Sequence, residues 1–237
     1  MFTLDNKKAT ALYWVSALGF LYSLFIWEWN WFLVSVIIHV ITISIFSAVT
    51  HRYFCHRAFD ANPNTMFWFS LFPMIYGFAC PISWSFLHTA HHAHADTDRD
   101  THIKGLKGIL TAFYKNPTSL RYAANAKWFY NDRHDMVRRN AVLFTLIPLV
   151  LLTLINFKLT VWMLLVPWFT LHLVEGIHRT FSHNSTGATN KWYMEYILPL
   201  GGEWIHDKHH DKPTDPVFGD KFYMLDAGNI LVNLLKK

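Results

Sequence analysis

Residues 31–56 read WFLVSVIIHVITISIFSAVTHRYFCH: an almost wholly apolar run, Trp31 to Thr50, passes without a break into His51-Arg-Tyr-Phe-Cys-His56. At about 1.5 Å per helical residue, a run of that length reaches across a hydrocarbon layer of about 30 Å. This single stretch therefore predicts a membrane span that delivers a pair of imidazoles to the water at its far end.

The same reading extends outward. Residues 9–27 form a second apolar run, joined to the first by the short polar turn 28–30, and Trp27, Trp29 and Trp31 cluster there as an interfacial aromatic belt does. The two runs make a tight transmembrane hairpin. A secretory leader is the alternative for 9–27, disfavoured because no small-residue cleavage site separates it from the next run. Further on, 65–80 is apolar but short and is closed by Pro81, which suits an interfacial or buried helix. Residues 94–139 are polar, charged and aromatic by turns. Residues 141–155 and 159–177 then form a second hairpin around the turn 156–158.

The expected fold is an all-α membrane protein, one domain over 1–237. Its four transmembrane helices lie in two hairpins, beneath a cap built from 51–139 and 178–237. Charge supports this layout: of 21 Lys and Arg, only Lys158 falls in a turn on the opposite side. The positive-inside rule then puts the cap and both termini in the cytoplasm of an integral, multi-pass protein.

Composition narrows the chemistry. The chain is 52% hydrophobic and 17% aromatic, with net charge +5. A basic balance suits anionic lipid as well as nucleic acid, and no nucleic-acid motif accompanies it. The two cysteines, Cys55 and Cys80, form no CxxC pair, which argues against a thiolate zinc site, and no HExxH occurs. Histidine is the residue in excess, at fifteen, and it points to metal.

Three clusters lie on the cytoplasmic side: His51 and His56; His88, His91 and His92; His206, His209 and His210. In the two HxxHH clusters, positions i, i+3 and i+4 share one helix face, so the three rings can converge on one site. The HxxxxH pair is different, because i and i+5 diverge by about 140° on an α-helix. Those two must straddle a metal near a helix end or serve separate metals. Eight imidazoles exceed what one tetrahedral zinc needs and suit two metals of higher coordination number. Nitrogen donors accept iron, zinc, copper or nickel, of which iron readily activates dioxygen against an unactivated C–H bond. His178, at the end of the fourth predicted span, is a candidate ninth ligand, with His172 and His183 as competitors. His39, in mid-span, reads as structural; His94, His102 and His134 read as outer or exposed. Asp100, Glu203, Asp207 and Asp211 are candidates for holding the outer ring nitrogens. Trp84, Phe86 and Trp204 are candidate walls of an acyl tunnel, or core residues.

The stretches Val49-Thr-His-Arg-Tyr-Phe-Cys-His-Arg-Ala-Phe59, Trp84-Ser-Phe-Leu-His-Thr-Ala-His-His92 with Asp96, Asp98, Asp100 and His102, and Gly202-Glu-Trp-Ile-His-Asp-Lys-His-His210 resemble, in order, the three histidine boxes of the membrane fatty acyl desaturases, especially the acyl-CoA branch. The resemblance runs from about residue 10 to 215. It implies a helical membrane fold with two irons ligated by His51, His56, His88, His91, His92, His178, His206, His209 and His210. It also implies dioxygen as co-substrate, a fatty acyl thioester or lipid as substrate, and a separate electron donor of ferredoxin or cytochrome b5 type. Family members carry an asparagine shortly before the isolated ligand. Here Leu173-Val-Glu-Gly-Ile-His178 has none, and Glu175 is the closest substitute. Two rivals stand beside desaturation: a lipid hydroxylase or alkane-type monooxygenase on the same metal architecture, and a membrane metal-binding protein without redox chemistry.

Overall fold

The computed structural model describes residues 6–111 and 126–237, with the side chains of 6–9 left aside. Eleven α-helices are seen among the described residues, and one short hairpin. The expected run 31–50 lies inside a longer element. Helix α2 (Trp29–Ile45) continues as a π-wound segment, Phe46–Cys55. Together they form one of two helices long and apolar enough to cross a membrane, Trp29–Cys55; the other is Phe157–Phe181. That second helix starts as α8 (Phe157–Thr160), passes through a π turn at Val161–Leu165 and ends as α9 (Val166–Phe181).

The other two expected spans are helical but shorter in apolar length. Helix α1 (Asn6–Ser23) includes Asn6, Lys7 and Lys8 in its first turn. Helix α7 (Ala141–Ile155) has 15 residues and meets α6 (Asp132–Arg139) at a 58° bend. Both expose apolar side chains outward: Leu18 and Leu21 on α1, Leu151 and Leu154 on α7. The apolar run 65–80 becomes α3 (Pro63–Ile75), started by Asn62, whose side chain accepts from the Asn64 and Thr65 amides, and by Pro63, whose fixed φ suits the first helical turn. Helix α4 (Pro81–His94) follows and packs on the π segment.

Packing is pairwise. Helix α1 lies on α9 and on the π turn before it, α2 lies on α9, and α3 lies on α7. Three apolar clusters result among the described residues: one around Val49, Phe54, Met66 and Phe129 beside α3 and α6, one around Phe46, Trp84, Trp168 and Trp204 between α2, α4 and α9, and a smaller one around Val161, Trp162, Leu165 and Val166. Helix α5 (Gly105–Leu110) covers α9. After α9 the chain makes the hairpin β1 (His183–Asn184) and β2 (Gly187–Ala188), a departure from an all-helical plan. A 3₁₀ turn at Trp192–Tyr196, helix α10 (His206–Asp211) and helix α11 (Ala227–Leu235) complete the fold.

Candidate metal centre

The spacing of His51 and His56 resolves once the backbone is seen. In the π-wound segment the His56 amide donates to the His51 carbonyl, 3.2 Å, an i→i+5 bond. The wider turn brings residues five apart onto one face, and the two rings stand 4.9 Å apart. An α-helix would have sent them in different directions.

The HxxHH clusters behave otherwise than expected: each divides between two sites. One group is His51, His56, His88 and His209; a second is His91, His183, His206 and His210. His92 joins the first, its Nε2 lying 2.9 Å from both His88 Nε2 and His209 Nε2. Helices α4 and α10 face each other, so the i and i+4 rings of one meet the i+3 ring of the other. The two groups abut through the stacked rings of His92 and His210, 4.3 Å apart.

The Nε2 atoms of His51, His88 and His209 form a triangle with sides of 2.8, 3.2 and 3.2 Å. In the second group, His210 Nε2 lies 3.0 Å from His206 Nε2 and 3.3 Å from His91 Nε2. Hydrogen bonds cannot account for every contact in the first group, where the close Nε2 pairs outnumber the protons available to make them. A neutral imidazole has one N–H, and His51 and His91 use theirs at Nδ1 on Glu203 and Asp100, at 2.9 and 2.8 Å. Their Nε2 lone pairs then face other nitrogens at close range. Such edges are what bonds of about 2.0–2.1 Å to a common cation produce. His56 Nε2 and His183 Nε2 are buried without a hydrogen-bond partner, which also fits a ligand role.

Protonation agrees. Burial, followed by the charge of neighbouring rings, holds His56, His88, His206 and His209 well below the usual imidazole value, and holds His210 down at about 3. Neutral rings are what a metal requires. The cages contain no anion of their own. Three carboxylates outside them offset positive charge instead: Glu203 on His51, Asp100 on His91, and Asp96 on His183 at 2.9 Å. Asp96 adopts a left-handed φ of 65° and also pairs with Lys104.

Other expectations meet the structure as follows. His178 enters neither group; its Nε2 lies 2.9 Å from the Glu203 carbonyl, and His183 from the hairpin stands in the second group. Glu175 pairs with Arg179, 3.0 Å, beside His178. Asp207 accepts from the Lys208 amide, and Asp211 is exposed at the end of α10. His39 bonds Thr170 and Pro199, and His172 bonds the Tyr76 carbonyl. His102 stacks on His91 at 3.7 Å, while His134 lies buried among Phe54, Phe67 and Phe129. A narrow cavity of about 30 Å³ runs under both groups. Ile43, Phe46, Trp84 and Leu200 form its apolar side; His51 and His206 border it from the cages.

Sequence reasoning ranked His183 behind His178, noted Asp96 without giving it a ring to hold, and passed over Glu195. The turn-forming stretch Asn184-Ser-Thr-Gly187 was the signal that the helix ends just before His183. Glu195 is a lone carboxylate in an apolar run, and its oxygens accept the amides of Leu200, Gly202 and Trp204 at 2.8, 2.9 and 3.2 Å.

No protein-family model matches the chain. It is 23% identical over 231 residues to a Delta-9 desaturase-like 2 protein of Arabidopsis thaliana, covering 85% of this chain and 72% of the relative. It is 27% identical over 210 residues to the sn-1 stearoyl-lipid 9-desaturase of Anabaena variabilis, covering 78% and 73%. These similarities support kinship with fatty acid desaturases at family level.

Proposed function

We propose that the chain is a membrane-embedded fatty acyl desaturase that holds two iron ions in its histidine cages. One is ligated by His51, His56, His88, His92 and His209, the other by His91, His183, His206 and His210. The observation that carries this is the pair of abutting all-imidazole groups above an apolar cavity. Bound there, iron would supply oxygen-dependent chemistry that takes one hydrogen from each of two neighbouring methylenes, using dioxygen, two electrons and two protons and leaving a cis double bond and two waters.

The residues of this chain prepare that chemistry. Glu203 fixes the proton of His51 at Nδ1, and Asp100 and Asp96 do the same for His91 and His183, so each Nε2 lone pair faces its cage. Ile43, Phe46, Trp84 and Leu200 exclude water from the side on which a methylene approaches. The electrons come from a separate redox protein.

The four-span arrangement belongs to the same proposal. Trp29–Cys55 and Phe157–Phe181 cross the bilayer, and α1 and α7 complete the two hairpins with their outward apolar faces. The N-terminus, cap and C-terminus then share the cytoplasmic side.

The test is the fatty-acid profile, by gas chromatography–mass spectrometry, of cells expressing the chain with a ferredoxin and its reductase, against His206→Ala at equal abundance. A new monounsaturated acid that is lost in the variant is expected. A hydroxy acid in its place would sink desaturation and keep the metal centre. Purified protein without iron would remove the basis of the mechanism.

A further inference from the structure

Position along a spanning helix translates into depth. At about 1.5 Å per residue, His39 stands roughly 15 Å from Trp29, near the middle of a hydrocarbon layer about 30 Å thick. Its Nε2 lies 3.0 Å from the carbonyl oxygen of Pro199. Two residues later, Gly201 lies against Ile43 and Ser47, and its carbonyl accepts from Ser47 Oγ at 3.0 Å. The chain around Pro199 therefore sits deep beside α2 and climbs along it toward the cages.

The backbone here is irregular, and its polar groups are served from within the protein. The Leu198 amide donates to the Met194 carbonyl, 2.7 Å, and the Leu198 carbonyl accepts from Trp204 Nε1, 2.8 Å. The amides of Leu200, Gly202 and Trp204 converge on Glu195, which is 1% exposed. The Gly201 carbonyl also accepts from Arg52 and from the Gly228 amide. Gly201 and Gly202 hold φ of 72° and 98°, and a Cβ on either would press on Ser47 or Asp226. This is the condition under which non-helical backbone is tolerated at membrane depth. The outward side chains are apolar or aromatic: Tyr193, Tyr196 at 61% and Ile197 at 68% exposure, with the Tyr196 hydroxyl donating to the Tyr223 carbonyl. Glu195 is the only charged residue in 192–202.

We propose that residues 192–202 form a re-entrant segment. It dips from the cytoplasmic face to about the level of His39, turns, and returns to deliver Glu203 and His206 to the cages, with Tyr193, Tyr196 and Ile197 against lipid. The proposal rests on the membrane reading above and goes beyond it, because the cap was expected to lie outside the bilayer. It also makes the segment that carries Leu200 a wall between the lipid and the cavity under the cages.

Cys55 and Cys80 are buried, so single cysteines can carry a nitroxide in the native background. I197C and Y193C, with I37C on the outer face of α2 and D211C on α10 as references, are reconstituted into phosphatidylcholine vesicles. Power-saturation EPR then compares collisions with oxygen and with a water-soluble nickel chelate. The expected result is an oxygen-to-nickel ratio at positions 193 and 197 shifted to the level of I37C. A ratio at the level of D211C would overturn the proposal, placing the segment in water. Shielding from both reagents would also overturn it, since protein rather than lipid would cover the face. A water-like I37C would instead break the spanning reading on which the segment depends.

Discussion

The two cages differ in how their rings are held. The first takes five rings from the π segment and its capping residue His56, α4 and α10, with one carboxylate, Glu203, on one of them. The second takes four, one of them from a two-residue strand, and two carboxylates brace it. Helical spacing can aim a ring by itself. His183 leaves a hairpin instead, and its aim depends on Asp96, whose own position is held by Lys104 and a strained φ. The first cage is organised by backbone geometry, the second more by hydrogen bonds outside it.

The sharpest way to break this comparison is to remove one ring from each cage. His88→Ala and His206→Ala should each lower iron from about two to about one per chain, with product lost, as expected when a ligand of a coupled pair goes; elemental analysis and the fatty-acid profile read this out. Retention of full iron in either variant would show that its cage is not a metal site. Next comes the choice between two candidate ligands. His183→Ala should behave like His206→Ala, while His178→Ala should keep its iron and lose only the bond to the Glu203 carbonyl. The opposite pattern would return His178 to the ligand set.

Outer carboxylates should matter less than ligands. Asp100→Asn and Glu203→Gln should each weaken iron affinity or turnover about 10- to 100-fold. Asp96→Asn should do less, because Asp96 is partly exposed to water. Equal losses in all three would show that the exposure of a carboxylate does not set its weight.

The smallest effect concerns a histidine outside both. Burial, with help from Arg133, lowers His134 to about 4 against an ordinary 6.5. Between those values the unfolded chain binds a proton that the folded one refuses, so stability rises with pH across that window and falls on acidification. The iron-loaded His134→Leu variant should lose less Tm than the parent between pH 7 and pH 5. An unchanged slope would show that His134 does not stay neutral.

The legible part of the molecule was local. The apolar lengths placed the two long helices Trp29–Cys55 and Phe157–Phe181 within a few residues, because length and hydropathy are properties of contiguous chain. The eight box histidines were visible as spacing, and all eight enter the two groups. Two expectations needed more than spacing. The i, i+5 pair was read against an α-helix, and π winding of residues 46–55 changed its geometry. The rings of each HxxHH were expected to converge, but the approach of α10 to α4 divides them, since a ring joins whichever partners face it. His178 was favoured over His183 for its place at the end of the fourth span and for the family resemblance, and neither registers the hairpin that carries His183 to the second group.

By itself, then, the sequence determined the apolar helices and the number of imidazoles available, because each follows from composition and period along a continuous stretch. Tertiary structure alone decided which rings share a cage, that Asp96 and Glu203 steady them, and that Glu195 gathers the amides of the 198–204 loop. Those partners lie up to 158 residues apart in the chain, and a lone pair or an amide is satisfied by whatever the fold brings within about 3 Å of it.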